Sequence, residues 1–236
     1  MLADDLIATF LAAQAAFTER VHAIADDQWQ LGTPDAQWVV ADLVWHLTDE
    51  HRWAGPLLAG LDMDAARAVV AGLAPAGGDG VARVREWDLA AATSAEAFRA
   101  DGALSGSVAI TRGQAPVTEY MEEMVLDLIV HAWDLGTAIG YPGPLPADAV
   151  EAIYPLAQAV VDRTPSGMFG APVQVSTDAP VIDRLVALTG RRPGLDPQFG
   201  VRAEGCSASL QVGQRRVCDL GERPPVFRRC PARRRC

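Results

Sequence analysis

The chain has 236 residues, half of them hydrophobic, which is enough to bury a large core in one domain with an extension or in two small domains. The formal net charge is −10, and residues 1–200 hold 11 arginines against 27 acids. A body this acidic excludes nucleic acid and anionic membranes as its main partners, and no apolar run reaches the roughly 18 residues that span a bilayer.

Apolar residues spaced three and four apart predict helices along most of the chain. The predicted helices span residues 3–25, 40–58, 62–73, 81–100, 117–139, 147–161 and 180–188. SVAIT, residues 107–111, is typical of a β-strand, and residues 166–175 predict an irregular loop with a short strand. Gly140 and Pro142 predict the end of the helix at 117–139. Four long amphipathic helices favour a bundle, with the shorter helices on its flank.

The helix at 117–139 carries ionisable residues among apolar ones. Glu123, Asp127, His131 and Asp134 are spaced four and three apart, so they share one face of the helix. Their neighbours are mostly apolar, which directs this face toward the bundle interior, where carboxylates without partners are costly. A metal ion would neutralise them, and an aspartate with a histidine four residues later can reach one cation.

The helix at 40–58 repeats this pattern. Asp42, His46 and Glu50 lie at intervals of four, with Asp49 nearby. Ligands from neighbouring helices that meet in a bundle core are a recurrent design of metal sites. Two structural interpretations stay open at this point: each histidine is a hydrogen-bonded core residue, or Asp127 forms a plain ion pair within its helix.

The other histidines do not fit the pattern. His22 has no acidic partner four residues away, and His51 lies about 140° around the helix from His46, so both are interpreted as structural or surface groups. Arg52 is interpreted as an exposed arginine, with contact to an anionic substrate as the alternative. Two tryptophans beside the polar faces are interpreted as packing groups: Trp45 and Trp133.

All four cysteines lie in residues 201–236, a segment with nine arginines and three acids that we predict to be disordered and to which we assign no function. Their spacing matches no common zinc ribbon or finger. Residues 1–200 contain no cysteine, so thiol chemistry there needs a thiol from outside. The first residues lack the basic region of a signal peptide, which predicts a cytoplasmic protein with reduced cysteines.

Two segments resemble the signatures of a known family. WVVADLVWHL, residues 38–47, resembles the W-x-V-x-D-L-x-x-H-L signature of the mycothiol-dependent maleylpyruvate isomerase N-terminal domain, within the DinB/YfiT-like superfamily. DLIVHAWDLGTAIG, residues 127–140, resembles its second signature, an acid followed four residues later by H-x-W-D-L. Residues 166–194 are similar to a metal-binding subgroup of these proteins. Together the resemblance covers about residues 5 to 195.

The resemblance implies an all-α protein with a DinB/YfiT-like four-helix bundle at 1–165 and a C-terminal extension at 166–200 that packs on the bundle. It implies a divalent metal, usually zinc, held by His46, Asp127 and His131. We expect Asp134 and Asp42 to support these ligands by hydrogen bonds. Two His and one carboxylate also suit iron and other first-row ions.

The chain departs from the family pattern at two positions. Asp127 stands where the characterised isomerase has glutamate, which is one methylene longer. Val39 stands where the family often has Ser or Thr to cap the helix, so we expect Thr33 or Asp35 to start this helix earlier.

Three protein ligands leave an open position, which is the arrangement of a catalytic zinc. By resemblance, the expected activity is that of a mycothiol S-transferase or isomerase acting on a small electrophile, and a homodimer is compatible with it. One alternative is a metal-dependent hydrolase with bound water as nucleophile and Glu123 or Glu50 as base. The other is a non-catalytic regulatory module that binds metal or ligand.

Overall fold

The structure is a computed structural model that describes residues 3–35, 38–73, 78–141, 143–164 and 169–194. Pro142 and the segment 201–236, for which the sequence made predictions, lie outside the described residues. In chain order the helices and strands are α1 (Ala3–His22), α2 (Val40–Leu58), α3 (Met63–Gly72), α4 (Gly80–Arg99), β1 (Ser107–Ile110), β2 (Gly113–Pro116), α5 (Val117–Ile139), α6 (Ala147–Arg163) and α7 (Val181–Leu188).

The four long helices pack as a closed ring. Helix α1 lies against α4 and α5, and α2 lies against the same two helices. Helices α6 and α7 also pack on α5, so most residues of α5 are buried. The predicted all-α four-helix bundle is confirmed. None of the helices in the described ranges is long and apolar enough to cross a membrane.

Helix α1 forms because its apolar residues recur every three or four positions and bury one continuous stripe. Five of them are at most 2% exposed: Leu6, Phe10, Ala13, Phe17 and Val21. Phe17 meets the Trp87 ring of α4 edge-on, with 4.7 Å between ring centroids. Full burial of each large side chain contributes about 1.5–3 kcal/mol. This stripe packs α1 against α4 and α5.

Helix α5 has the bounds predicted from sequence, and Gly140 ends it with the left-handed φ of 69° that a glycine adopts freely. Helix α2 begins at Val40, so the expectation that Thr33 or Asp35 starts it earlier is wrong. The carboxylate of Asp42 instead accepts a hydrogen bond from the backbone N–H of Val39 at 3.3 Å and caps the helix from inside its first turn.

Strands β1 and β2 form an antiparallel hairpin that packs between α2 and α5. Val108 pairs with Ala115, and both side chains are buried. The sequence predicts β1 but not β2, because GQAP has little intrinsic preference for a strand. Tertiary packing decides the conformation of the second strand.

The residues before α7 form hydrogen bonds with the C-terminal end of α7. The backbone N–H groups of Gly170 and Val173 donate to the carbonyls of Thr189 and Ala187, which satisfies groups that a helix end leaves free. The described residues 169–175 contain no strand, contrary to expectation. A Cβ on Gly190 would lie 2.6 Å from Gly170 Cα, so the chain turns here through a glycine with φ 87°. Helix α7 packs on α5 and α6, while the division at residue 165 stays a prediction.

Candidate metal centre

Three side chains from α2 and α5 meet inside the bundle. His46 lies on α2, while Asp127 and His131 lie one turn apart on α5. His46 Nε2 is 3.1 Å from Asp127 Oδ2, and His131 Nε2 is 3.2 Å from Asp127 Oδ1. One ligand atom from each residue lies within 4.8 Å of the other two, and all three residues are buried. The residues expected to bind metal are therefore brought together by the fold.

The cluster is electrostatically coupled. Burial alone would raise the pKa of Asp127, but the charges of His131 and then His46 hold this pKa well below its ordinary range. Burial alone would lower the pKa of His131, but Asp127 and, less strongly, Asp134 raise it to about 9. Without a bound cation, Asp127 is thus ionised and His131 is protonated at neutral pH.

Asp134 fixes the far side of the His131 ring. Its Oδ2 lies 3.0 Å from His131 Nδ1, which leaves Nε2 directed at Asp127. Arg191 Nη2 donates to the same oxygen at 2.8 Å, and Arg191 Nε lies 3.2 Å from Asp134 Oδ1. Burial would raise the pKa of Asp134, but Arg191 and His131 together lower it. Asp134 is therefore a buried carboxylate held between a guanidinium and an imidazole.

Trp38 covers both imidazoles. Its ring centroid lies 4.6 Å from that of His46 and 5.3 Å from that of His131. Trp38 itself is held by the turn before α2, where its backbone N–H donates to Asp35 O and its carbonyl accepts from Thr33 N–H. The tryptophan restricts ring motion and limits access of water to this side of the cluster.

The donor set fits a divalent metal ion. Two imidazoles and one carboxylate are ligands that zinc and other first-row metals accept, and catalytic zinc sites use three protein ligands of these types. The hydrogen bond from His131 Nδ1 to a carboxylate is the support that metal-binding histidines commonly have. A cation at this point would also replace the proton that His131 carries beside Asp127.

Asp42 does not contact His46 in the described structure. Its hydrogen bond goes to Val39 N–H, so it stabilises the start of α2 rather than orienting the histidine. Asp134 thus forms the expected hydrogen bond with the candidate ligand His131, whereas Asp42 caps α2.

The two candidate bases lie one helical turn from the cluster. Glu50 follows His46 by one turn on α2, and Glu123 precedes Asp127 by one turn on α5. Glu123 Oε1 is paired with both Arg112 and Arg163, the latter at 2.9 Å. Glu50 is buried, and burial followed by the charges of Asp127, Asp49 and Glu123 raises its pKa well above the ordinary value. Burial and these neighbouring charges therefore favour the protonated form of Glu50.

His51 is structural, as expected. It is buried, and its Nδ1 lies 2.7 Å from Ser94 Oγ and 3.3 Å from Gln14 Nε2. Burial lowers its pKa to about 3, so the ring is neutral. His22 lies on the surface and contacts Asp88 at 2.8 Å.

Arg52 is not the exposed arginine that the sequence predicts. Its side chain is only 10% exposed, lies 3.5 Å from Glu86 and stacks over the Trp45 ring at 5.0 Å. Trp133 packs partly buried against the core, as expected.

Arg191 and Trp38 are functional neighbours that the sequence does not single out. Arg191 is separated from Asp134 by 57 positions, so no local spacing could link the two. The pair Arg191–Arg192 directly after Gly190, in an otherwise acidic body, is the one indication that the sequence offers. Trp38 stands at the first position of the WVVADLVWHL motif, but periodicity alone would assign it to packing.

The curated relatives of this chain include two uncharacterised proteins of Mycobacterium tuberculosis, from strains CDC 1551 / Oshkosh and ATCC 25618 / H37Rv. Each is 29% identical over 187 residues, which is 76% of this chain and 93% of the relative. The likeness thus extends over nearly the whole length of those proteins.

Among solved structures, the chain is similar to the mycothiol-dependent maleylpyruvate isomerase and to a histidine-to-alanine mutant of it. The TM-scores are 0.50 and 0.53, with 14% identity in both, and the match covers 66% of this chain and 70% of the other. At this identity the likeness shows the fold.

The family model of the mycothiol maleylpyruvate isomerase N-terminal domain matches residues 10–136. The matched range includes most of α1, all of α2, α3 and α4, and most of α5, and therefore His46, Asp127 and His131. The match spans more than half of the chain. This protein belongs to the mycothiol maleylpyruvate isomerase N-terminal domain family.

Proposed function

We propose that the chain binds one divalent metal ion, zinc by preference, through His46, Asp127 and His131, and that it is a mycothiol S-transferase or isomerase acting on a small electrophile. The observation that carries the proposal is the buried cluster itself, in which Asp127 lies between two imidazoles from different helices. Membership of a family named for a mycothiol-dependent isomerase supports the choice of thiol.

When bound at such ligands, zinc lowers the pKa of a thiol or water that takes the open position. The residues of this chain prepare that position. Asp134 holds His131 with Nε2 toward Asp127, and Arg191 keeps Asp134 ionised. Trp38 covers both imidazole rings and excludes water from that side. The arrangement is rigid, which is what positioning of a nucleophile requires.

A thiol suits this site better than water as the nucleophile. Residues 1–200 contain no cysteine, so a thiol nucleophile at the cluster comes from outside these residues. A hydrolase would need an ionised carboxylate base, but burial favours the protonated form of Glu50, and Glu123 is paired with Arg112 and Arg163. Glu50 is instead suited to donate a proton or a hydrogen bond.

A thiol-consumption assay tests the proposal. Metal-loaded protein is mixed with mycothiol and, in turn, maleylpyruvate, an epoxide and an alkyl halide, and free thiol or alkene geometry is followed. We expect at least one electrophile to react faster with wild-type protein and with His22→Ala, an exposed control, than with His46→Ala. Equal rates in wild type and His46→Ala would contradict the proposal. Metal uptake without turnover of any electrophile would favour the non-catalytic module.

The partners in this proposal are a small thiol and a small electrophile. The proposal includes a cytoplasmic location, where thiols are kept reduced, and it is compatible with a homodimer. Iron or another first-row ion remains the alternative to zinc, since the same donors accept it.

A further inference from the structure

A cavity of about 590 Å³ lies between the C-terminal half of α5 and the starts of α6 and α7. None of the three candidate metal ligands lines it. A helix turns about 100° per residue, so Trp133 and Gly136, which line the cavity, face away from Asp127 and His131. Most of its wall is apolar: Trp133, Leu145, Val150, Val181 and Ile182. The cavity is therefore a second compartment, on the opposite side of α5 from the metal centre.

The charged group in the inner wall of this cavity is Arg20, which is 2% exposed. Its guanidinium donates to backbone carbonyls only, with Nη1 at 2.7 Å from Ala16 O and Nη2 at 2.7 Å from Gly143 O. Arg20 Nε is buried and has no hydrogen-bond partner. Within the described residues, no carboxylate lies within ion-pair distance of Arg20. The positive charge is thus buried without a counter-charge.

The other arginine that is buried in the described residues, Arg191, does have an acid partner, Asp134. A buried charge without a partner is costly. Arg20 lacks the carboxylate partner that Arg191 has, which favours a ligand of opposite charge at Arg20.

The packing around Arg20 keeps the guanidinium at the cavity. A Cβ on Gly136 would lie 3.0 Å from Arg20 Nε, so the absence of a side chain there lets the guanidinium lie flat against α5. On the other side, the Arg20 Cζ atom stacks over the Tyr141 ring at 4.8 Å. Both contacts hold the arginine in place before any ligand arrives, so binding would require little reorganisation.

We propose that this cavity binds a small organic acid, with its apolar body against Trp133, Leu145 and Ile182 and its anionic group at Arg20. A few polar groups in an apolar cavity of this size are typical of small-molecule sites. Glu151, an exposed residue that also lines the cavity, adds a negative charge near its mouth. This charge disfavours a second anionic group, so the ligand is a monoanion rather than a dicarboxylate.

Calorimetric titration with 2-naphthoate and its neutral analogue 2-naphthamide tests the proposal on the full chain. We expect one naphthoate per chain and a Kd at least about tenfold lower than for naphthamide, since a hydrogen bond to a charged group contributes that much. Glu151→Gln, on the surface, should tighten naphthoate binding about twofold at low salt and leave naphthamide unchanged. Equal affinity of the two probes for wild-type protein would overturn the proposal.

Two substitutions locate the binding site. Arg20→Met should reduce the affinity for naphthoate to that for naphthamide, and Thr137→Trp, which fills the cavity while keeping Arg20, should abolish binding of both probes. Because Arg20→Met removes a buried group and can unfold the protein, Thr137→Trp carries the test in that case. Unchanged naphthoate binding in Thr137→Trp would overturn the proposal. So would loss of naphthoate binding in His46→Ala, because it would place the probe at the metal centre.

Discussion

Arg191, one residue beyond the turn at Gly190, and Asp134, on α5, form a fully buried ion pair with 2.8 Å between Nη2 and Oδ2. The same oxygen of Asp134 lies 3.0 Å from His131 Nδ1. The segment that follows α7 therefore reaches the candidate metal centre through a single carboxylate. The described part of the C-terminal extension thus contacts Asp134, which holds the proposed ligand His131.

Replacing Arg191 should destabilise the protein strongly. Arg191→Met leaves Asp134 ionised and buried without its guanidinium, and breaking such a pair costs about 3–5 kcal/mol. Arg192→Gln is the matched control, because Arg192 is the adjacent residue and is exposed, so its effect should stay within about 0.5 kcal/mol. Urea unfolding followed by circular dichroism gives both values. Equal stability of the two variants would show that the pair contributes nothing.

Asp134→Asn should weaken metal binding in the protein that remains folded. The amide keeps the shape of the side chain but loses the charge that orients His131 Nδ1. Removal of a group that supports a metal ligand lowers metal affinity about 10- to 100-fold. Competition with a chromophoric zinc chelator measures the affinity, and Asp42→Asn serves as the comparison because Asp42 contacts the helix cap. An equal loss in both variants would argue against a specific role of Asp134.

Glu50→Gln should make the protein more stable at neutral pH. The folded state raises the pKa of Glu50 well above 4.5, so above that pH the folded state binds more protons than the unfolded chain. The contribution of Glu50 to stability is therefore present below about pH 4.5 and is lost as the pH rises. Glutamine does not titrate, so the advantage of the variant should grow as the pH rises above about 4.5. The exposed control Glu96→Gln should show no such trend, and a flat difference for Glu50→Gln would refute the assignment.

His51→Gln should change the acid side of the stability profile. The folded state lowers the pKa of His51 from 6.5 to about 3, so between these values the unfolded chain binds the extra proton. This contribution is present above about pH 6.5 and is lost as the pH falls, by up to about 1.4 kcal/mol per pH unit. His51→Gln removes this loss, whereas His22→Gln, at an exposed site, should keep the wild-type slope. Parallel slopes for the two variants between pH 6 and pH 4 would contradict the buried neutral state of His51.

The local part of the structure could be predicted from the sequence. Helix α5 has the predicted bounds because its apolar period is unbroken and Gly140 supplies a left-handed end. Helical spacing predicts a polar face on α2 and on α5, which a bundle makes neighbours, and the family resemblance selects His46, Asp127 and His131 from these faces. The bounds and faces of the helices depend on contacts within one or two turns.

The contacts between residues far apart in the chain could not be predicted from the sequence. Arg191 reaches Asp134 only because the glycine turn at Gly190 redirects the chain, and no spacing rule encodes that turn. The sequence predicts an exposed Arg52. Its side chain is instead largely buried, where it pairs with Glu86 of α4 and stacks over the Trp45 ring. Asp42 shares the spacing of a ligand support, yet it accepts a hydrogen bond from the backbone N–H of Val39 and caps α2.

Metal content tests the central claim most directly. Purified wild-type protein, His46→Ala, His131→Ala and the exposed control His22→Ala are dialysed against a zinc-containing buffer, freed of excess ion and analysed by inductively coupled plasma mass spectrometry. The account predicts close to one metal ion per chain in wild type and His22→Ala. It predicts loss of the ion in both His46→Ala and His131→Ala, with the helical circular dichroism of each retained. Full occupancy in both of these variants would contradict the proposed centre.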